Sequence, residues 1–204
     1  MDFADILGAR QPGFLSDHFL IAMPGIDDAR FSRAVILLVA HSSEGALGFV
    51  VNHEADMAPG DVFARAGLEM HDPADIPVEE DDEPGELGVV HGGPVEASRG
   101  FVLHSPDYRS DSTMAVSEDL SLTSTLDVLR AIAHGRGPRR ALLSLGYAGW
   151  DAGQLEGELR ENVWLAVEAD LAQVFELPAE ERYDAALGRL GVAPEALSGI
   201  AGTA

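Results

Sequence analysis

The chain has 204 residues, 46% of them hydrophobic, and carries 35 acidic against 13 basic residues, for a net charge of −22. It has no cysteine, which excludes disulfides and thiolate metal sites, and so negative a surface gives direct nucleic-acid binding no electrostatic footprint. The longest clean apolar run, residues 34–40, falls far short of the roughly 20 residues a membrane helix needs.

In chain order, residues 1–14 read as a short helix capped by Asp2, then a linker. They lack the basic stretch and apolar core of a secretory leader, and the chain reads as cytoplasmic. Residues 19–23 (FLIAM) form a first core strand stopped by Pro24-Gly25. IDDARFSR is a turn with one helical twist. Residues 34–41 (AVILLVAH) are branched and apolar throughout, which predicts a strand buried on both faces. Residues 46–52 (ALGFVVN) return as its hairpin partner. A helix is predicted over 61–70, with Asp61 at its start and Val62, Ala66 and Met70 aligned. Residues 71–86, rich in acid and proline, read as a mobile exposed loop. Pro73, Pro77 and Pro84 space its carboxylates too irregularly for a calcium-type loop.

Residues 87–91 and 100–104 read as strands, with a sharp bend at Gly92-Gly93-Pro94. TMAV (113–116) is a short strand and 117–122 is extended. Residues 124–134 form a helix with Leu126, Leu129, Ile132 and Ala133 on its apolar face, ended by Gly135 and Gly137. Residues 141–167 read as strand, tight turn, helix, strand. The first strand ends at Leu145, and Gly146 and Gly149 bracket Tyr147 and Ala148 in the turn. Asp151 and Gln154 have capping-box spacing. Leu155, Leu159 and Val163 align on one helix face, with Glu156, Glu158, Arg160 and Glu161 solvated and Asn162 as the stop. A helical turn at 170–176, a helix at 180–190 and a frayed end follow. The chain is one domain, 1–204, with the loop at 71–86 and a helical tail at 178–204.

Three blocks, FLIAMPxxxxxxFxRAVILLxxHxxEGALGFVVN, GGPVxxxRGFVLH and LSLGYAGWxxGQLExELxxNxWL, resemble the YqgE/AlgH family of largely uncharacterised bacterial proteins. The resemblance covers roughly residues 14–190; His53 departs from it, standing where the family more usually has a basic residue and then proline. It implies an α+β fold, a largely antiparallel forked sheet rolled into a partial barrel with helices packed outside. It implies no reaction. The AlgH branch is associated by name with regulation of alginate synthesis. No helix-turn-helix is present, so any such effect is expected to be indirect.

The candidate chemistry is sparse. HGGP at 91–94 is similar to an esterase oxyanion motif, but Ser144 in LLSLG lacks the first glycine of a nucleophile elbow. The alternative is that the two glycines permit a tight strand exit. His41, His53, His91 and His104 stand at strand ends, as metal ligands or as hydrogen-bonded structural residues, with no HExxH among them. GYAGW reads as a phosphate cradle or a strand-to-helix turn; Asp151 would compete with an anion there. HGRGPRR (134–140) is the one basic cluster. No catalytic residue, metal or cofactor is assigned. The favoured reading is a binding or regulatory module, with a protein or small-molecule partner and no direct nucleic-acid or membrane contact. The rival is a small hydrolase using His91 or His104 with Asn52 around the Gly92-Gly93 bend. If a ligand site exists, Asn52, Gly92, Gly93, Tyr147 and Trp150 are expected to line one concave surface, because aromatic walls with a few backbone donors suit a small-molecule pocket. The competing reading packs Tyr147 and Trp150 inward as core plugs.

Overall fold

The computed structural model describes residues 13–69, 87–192 and 197. Residues 1–12 of the expected N-terminal helix and linker, Met70 and the acidic loop at 71–86 lie outside the described residues. Nine strands form one sheet: β1 (His18–Ala22), β2 (Val35–Ser42), β3 (Gly45–Val50), β4 (Gly88–His91), β5 (Val95–His104), β6 (Thr113–Ala115), β7 (Ser121–Thr123), β8 (Ala141–Asp151) and β9 (Trp164–Glu168). Among the described residues five α-helices accompany them: α1 (Pro59–Arg65), α2 (Leu126–Ala133), α3 (Gln154–Arg160), α4 (Leu171–Phe175) and α5 (Ala179–Arg189). The fold is α+β, and the sheet rolls into a half-barrel in the order β6-β7-β5-β8-β3-β2-β1-β9, antiparallel except where β4 joins β8 in parallel.

The strands form where the branched apolar runs predict them. β2 is buried along its whole length. Its odd residues Val35, Leu37 and Val39 enter one cluster, with Phe19, Phe49, Phe101, Leu103 and Leu122 from both halves of the sheet. Ile36 and Leu38 enter another, with Leu20, Val50, Trp150 and Trp164. The first cluster draws on nearly every strand and so fills the concave side, plugged by Val174 of α4 and Tyr183, Ala186 and Leu187 of α5. On the outside, α3 covers one half through Leu155, and α1 and α2 cover the other through Val62, Phe63, Val128 and Leu129.

β8 makes the fork. Residues 141–145 pair with β5 on one edge and β4 on the other, and residues 148–151 pair with β3. The sequence predicts a tight turn at 146–149; the strand instead runs unbroken to Asp151. Gly146 takes a left-handed φ of +73° and bends the strand rather than reversing it, at a bulge where β5 residues 96–99 stand opposite this one glycine. The bulge resets the alternation: Leu143 and Leu145 face outward before it, Tyr147 packs inward after it, and Ala148 and Trp150 face outward again.

β4 and β5 lie on opposite edges of β8, so the chain crosses β8 between His91 and Val95. The crossing sits on the Gly146 bulge, with the Gly92 N–H donating to the Leu145 carbonyl (2.9 Å) and the Gly92 carbonyl accepting from Val50 (2.9 Å). A Cβ on Gly93 would come within 2.2 Å of the Tyr147 carbonyl carbon, and one on Gly146 within 2.5 Å of the Gly93 oxygen. A Cβ on Gly92 would lie 1.6 Å from Ser144 Oγ and 2.5 Å from the Gly146 oxygen. The double glycine therefore serves a backbone-on-backbone crossing. Ser144 is fully buried, with its hydroxyl donating to the Gly146 carbonyl (3.0 Å).

Candidate binding cleft

The turn from β8 into α3 runs through Gly153, left-handed at φ +77°. Half of the expected capping box forms: Gln154 Oε1 accepts the Asp151 N–H at 3.0 Å, while the helix cap is Gly153 and no side chain caps it. One turn on, Glu158 Oε2 accepts both indole N–H groups, from Trp150 at 2.8 Å and Trp164 at 2.7 Å. Its Oε1 accepts from Gln154 Nε2 at 2.9 Å. The two indoles meet edge to face at 6.1 Å, and Phe31 meets Trp164 the same way at 5.7 Å. The sequence reading places Glu158 in solvent; the structure makes it the acceptor for two buried rings. A buried indole needs a partner for its N–H, and Gln154 and Glu158 share a helix face at i, i+4. Those were the available signals.

Trp150, Trp164 and Glu158 floor a cleft of about 900 Å³. Met23 to Ile26 after β1, Pro94 beside the crossing, and Gly149 and Asn162 at either end of the β8–α3–β9 passage wall it. The three blocks of the family pattern thus meet here: Met23-Pro24 from the first, Pro94 from the second, and 148–164 from the third. Asp27 and Glu161 add negative charge at the rim. Arg30, the one basic residue in the lining, is bound to Asp28 by three short contacts, the shortest 2.6 Å. Those hydrogen bonds hold the Asp28 carboxyl below its usual range and push the guanidinium up. The cleft therefore offers an aromatic floor, two engaged carboxylates, Glu158 and Asp28, and a negative rim.

Of the five residues expected to share a surface, Trp150 lines this cleft and the other four do not. Gly92 and Gly93 pack on the backbone of β8 from Ser144 to Ala148. Tyr147 sits on the concave side, edge-on to Phe101 at 5.7 Å, on the face opposite Trp150. The Asn52 amide is a clamp: its oxygen accepts the Val35 N–H (2.7 Å) and its nitrogen donates to the Arg33 carbonyl (2.8 Å).

The histidines do not gather. His91 and His104 pair with Leu145 and Ala141 on opposite edges of β8, so they do not face each other across the bend. His53 lies beside His91 and bonds the Ser32 carbonyl at 3.1 Å. His41 accepts the Leu15 N–H on Nδ1 (3.0 Å), which leaves Nε2 to donate to Glu156 (3.2 Å). His104 is fully buried: Nδ1 donates to the Ser105 carbonyl (2.7 Å), and Nε2 accepts from Thr123 (2.9 Å). Burial lowers the pKa of His53 and of His104. Among the described residues no group of three or more His, Asp or Glu is placed to hold a metal ion. In the basic cluster at 134–140 the Arg140 guanidinium pairs with Glu176 at 2.9 Å, and the backbone N–H of Arg139 donates to the Asp107 carboxylate at 2.9 Å. These arginines border a second cleft, of about 920 Å³ at the end of the half-barrel, where Asp107, Glu118, Asp119, Glu168 and Asp170 interleave with them. Its walls carry both signs of charge, and its floor lacks a comparable aromatic cluster.

Residues 19–195 match the AlgH-like family model. A UPF0301 protein of Rhodospirillum rubrum is 47% identical over 196 residues, covering 96% of this chain and 97% of its own length. A UPF0301 protein of Laribacter hongkongensis is 46% identical over 190 residues, covering 93% and 97%. The solution structure of the AlgH protein from Pseudomonas aeruginosa superposes with a TM-score of 0.72 at 41% identity, over 96% of this chain and 99% of that one. A crystal structure from Corynebacterium diphtheriae shares the fold at 20% identity, with a TM-score of 0.64 over 96% and 98%.

Proposed function

The chain belongs to the AlgH-like family, and from that premise we propose that it is a binding protein, without catalytic turnover, whose small ligand occupies the cleft over Trp150, Trp164 and Glu158. The observation that carries this reading is the shared carboxylate. Three consecutive elements, β8, α3 and β9, aim two indole N–H groups at one oxygen, directly beneath an open cleft of about 900 Å³. Aromatic surface with a few fixed polar groups is what a small-ligand site requires. The rim carboxylates and the neutralised Arg30 favour a neutral or cationic ligand with hydrogen-bond donors over an anion. Any regulatory effect of such a protein runs through its ligand or a protein partner, because the net charge opposes contact with DNA.

The chain has two tryptophans, and both lie in the cleft floor. Their indole N–H signals in a ¹⁵N correlation spectrum are therefore a direct reporter. Titration with a low-molecular-mass cell extract, then with its amine and neutral fractions, is expected to move both signals and raise the melting temperature. Indole signals that stay fixed through the whole extract would leave the Trp–Glu–Trp cluster as packing and sink the proposal.

A further inference from the structure

A third groove, of about 410 Å³, lies on the opposite half of the molecule, between α1, α2 and the outer face of β5 and β8. Its floor is apolar: Val62, Val102, Leu129, Leu143 and Leu145. At its edge Leu126 is 52% exposed, one of three large apolar side chains that stand so open among the described residues. The polar part of the lining is basic and hydroxylic. Arg65 and Arg99 are its only charged residues among those described, beside Ser98, Ser124 and Thr125. Among the described residues no aspartate or glutamate lines it, whereas both larger clefts carry several.

The two arginines differ in how far they are engaged. Arg99 contacts Glu96 at 2.9 Å, reaches Ser124 Oγ at 3.4 Å and lies over the Phe101 ring at 4.9 Å. Those contacts hold its guanidinium at the groove edge. Arg65, in the last turn of α1, is exposed and makes no ion pair or side-chain hydrogen bond among the described residues. Among the described residues the groove therefore joins a guanidinium without a carboxylate partner to an apolar floor, with Leu126 open at its edge.

We propose that this groove binds a free medium-chain fatty carboxylate, its alkyl chain laid on the Val62–Leu129–Leu143 floor and its head group held by Arg65 and Arg99. The volume favours a single chain over a folded partner, being near the lower end for small-molecule sites, and the charge favours an anion over an amine or a neutral lipid. This site is independent of the tryptophan cleft.

The test is a ¹⁵N-labelled titration of the full chain with decanoate, and with decyltrimethylammonium of equal chain length as the opposite charge. Decanoate is expected to shift the amides of 97–100 and 124–129, to bind at least tenfold more tightly than the cation, and to leave both indole signals unmoved. Arg65→Gln, on an exposed side chain, is expected to weaken decanoate at least fivefold with the melting temperature unchanged. Arg65→Lys should restore part of that loss. Equal binding of the two surfactants, shifts spread over other surfaces, or indifference to Arg65→Gln would overturn the proposal. So would co-sedimentation with anionic phosphatidylglycerol vesicles that free decanoate does not compete away, which would assign the groove to a bilayer.

Discussion

At Gly92, Gly93 and Gly146 the chain crosses itself with no side chain between the two backbones, whereas four residues further along β8 three large side chains fill the space between β8, α3 and β9. Both places fall within the family pattern. The crossing is demanded by topology, because β4 and β5 flank one strand and any side chain would stand between them. The Trp150–Glu158–Trp164 cluster is not demanded in that way. Leucine-like residues would fill the same volume without needing a buried acceptor, and apolar replacements of a polar cluster are often neutral for stability. The glycines are thus explained by the fold, while the polar cluster is not, and the ligand cleft proposed above is our reading of it.

The comparison can be broken most sharply at the crossing. Gly93→Ala meets the carbonyl carbon, the oxygen and the next nitrogen of β8, all backbone, at 2.2 to 2.5 Å. We expect a loss of about 3 kcal/mol or more in urea denaturation. Gly92→Ala meets the Ser144 hydroxyl first, so adding Ser144→Ala should recover part of its loss and none of the Gly93→Ala loss. Equal recovery in both backgrounds would show that the strain lies elsewhere.

Next in size is Glu158→Ala, which strands two indole N–H groups on rings only 4% and 3% exposed. A cost of about 2–3 kcal/mol is expected, with both indole signals displaced. Glu158→Gln keeps one acceptor oxygen and should lose roughly half as much. A melting curve unchanged by Glu158→Ala would mean that the cleft hydrates both indoles freely.

The histidines separate the regions by pH. Burial holds His53 and His104 below the ordinary histidine value, so the native state refuses protons that the unfolded chain accepts. Stability is then full above about pH 6.5 and is lost as pH falls from there through the lowered native values, at up to about 1.4 kcal/mol per pH unit for each histidine. Neither residue lines the tryptophan cleft. Denaturation midpoints should fall between pH 7 and 5 while the indole signals hold, and His104→Gln should flatten the slope. Indole signals that move in step with stability would join the two regions.

The smallest effect concerns the half-made capping box. Gln154→Ala loses the acceptor for the Asp151 N–H and a donor to Glu158 and should cost about 1 kcal/mol. Asp151→Ala, which removes an exposed carboxylate that caps nothing, should stay within about 0.5 kcal/mol. The reverse order, by thermal melting, would restore the aspartate as the cap.

Much of the fold was legible because its signals are local. The branched runs gave β2 and β3, Asn162 ends α3 in the left-handed conformation the reading expects of a stop, and Asp170 caps α4 through the Ala172 N–H. GYAG was misread because a bulge and a turn use the same glycine. What separates them is whether both edges of the strand are paired, and those partners lie some 40 to 100 residues away. Asn52 looked like a site residue at a strand end, yet its partners, Arg33 and Val35, lie on the neighbouring passage of chain. Glu158 looked solvated because its spacing shows only a helix face. Its two indoles arrive from strands before and after that helix and meet only when β8 and β9 are both in place.

The central position of β8 also sets an order of events during synthesis. This strand is made after β3, β4 and β5, yet it supplies the partner for all three. Before residue 151 has left the ribosome, the available pairings give two separate pieces: β1-β2-β3, with β1 and β3 both unpaired on their outer edges, and β5-β7-β6, with β5 unpaired along one edge. A nascent chain halted ahead of residue 141 therefore carries open edges at β1, β3 and β5 and no strand to join the two pieces, which makes the interval before β8 emerges the one most open to mispairing.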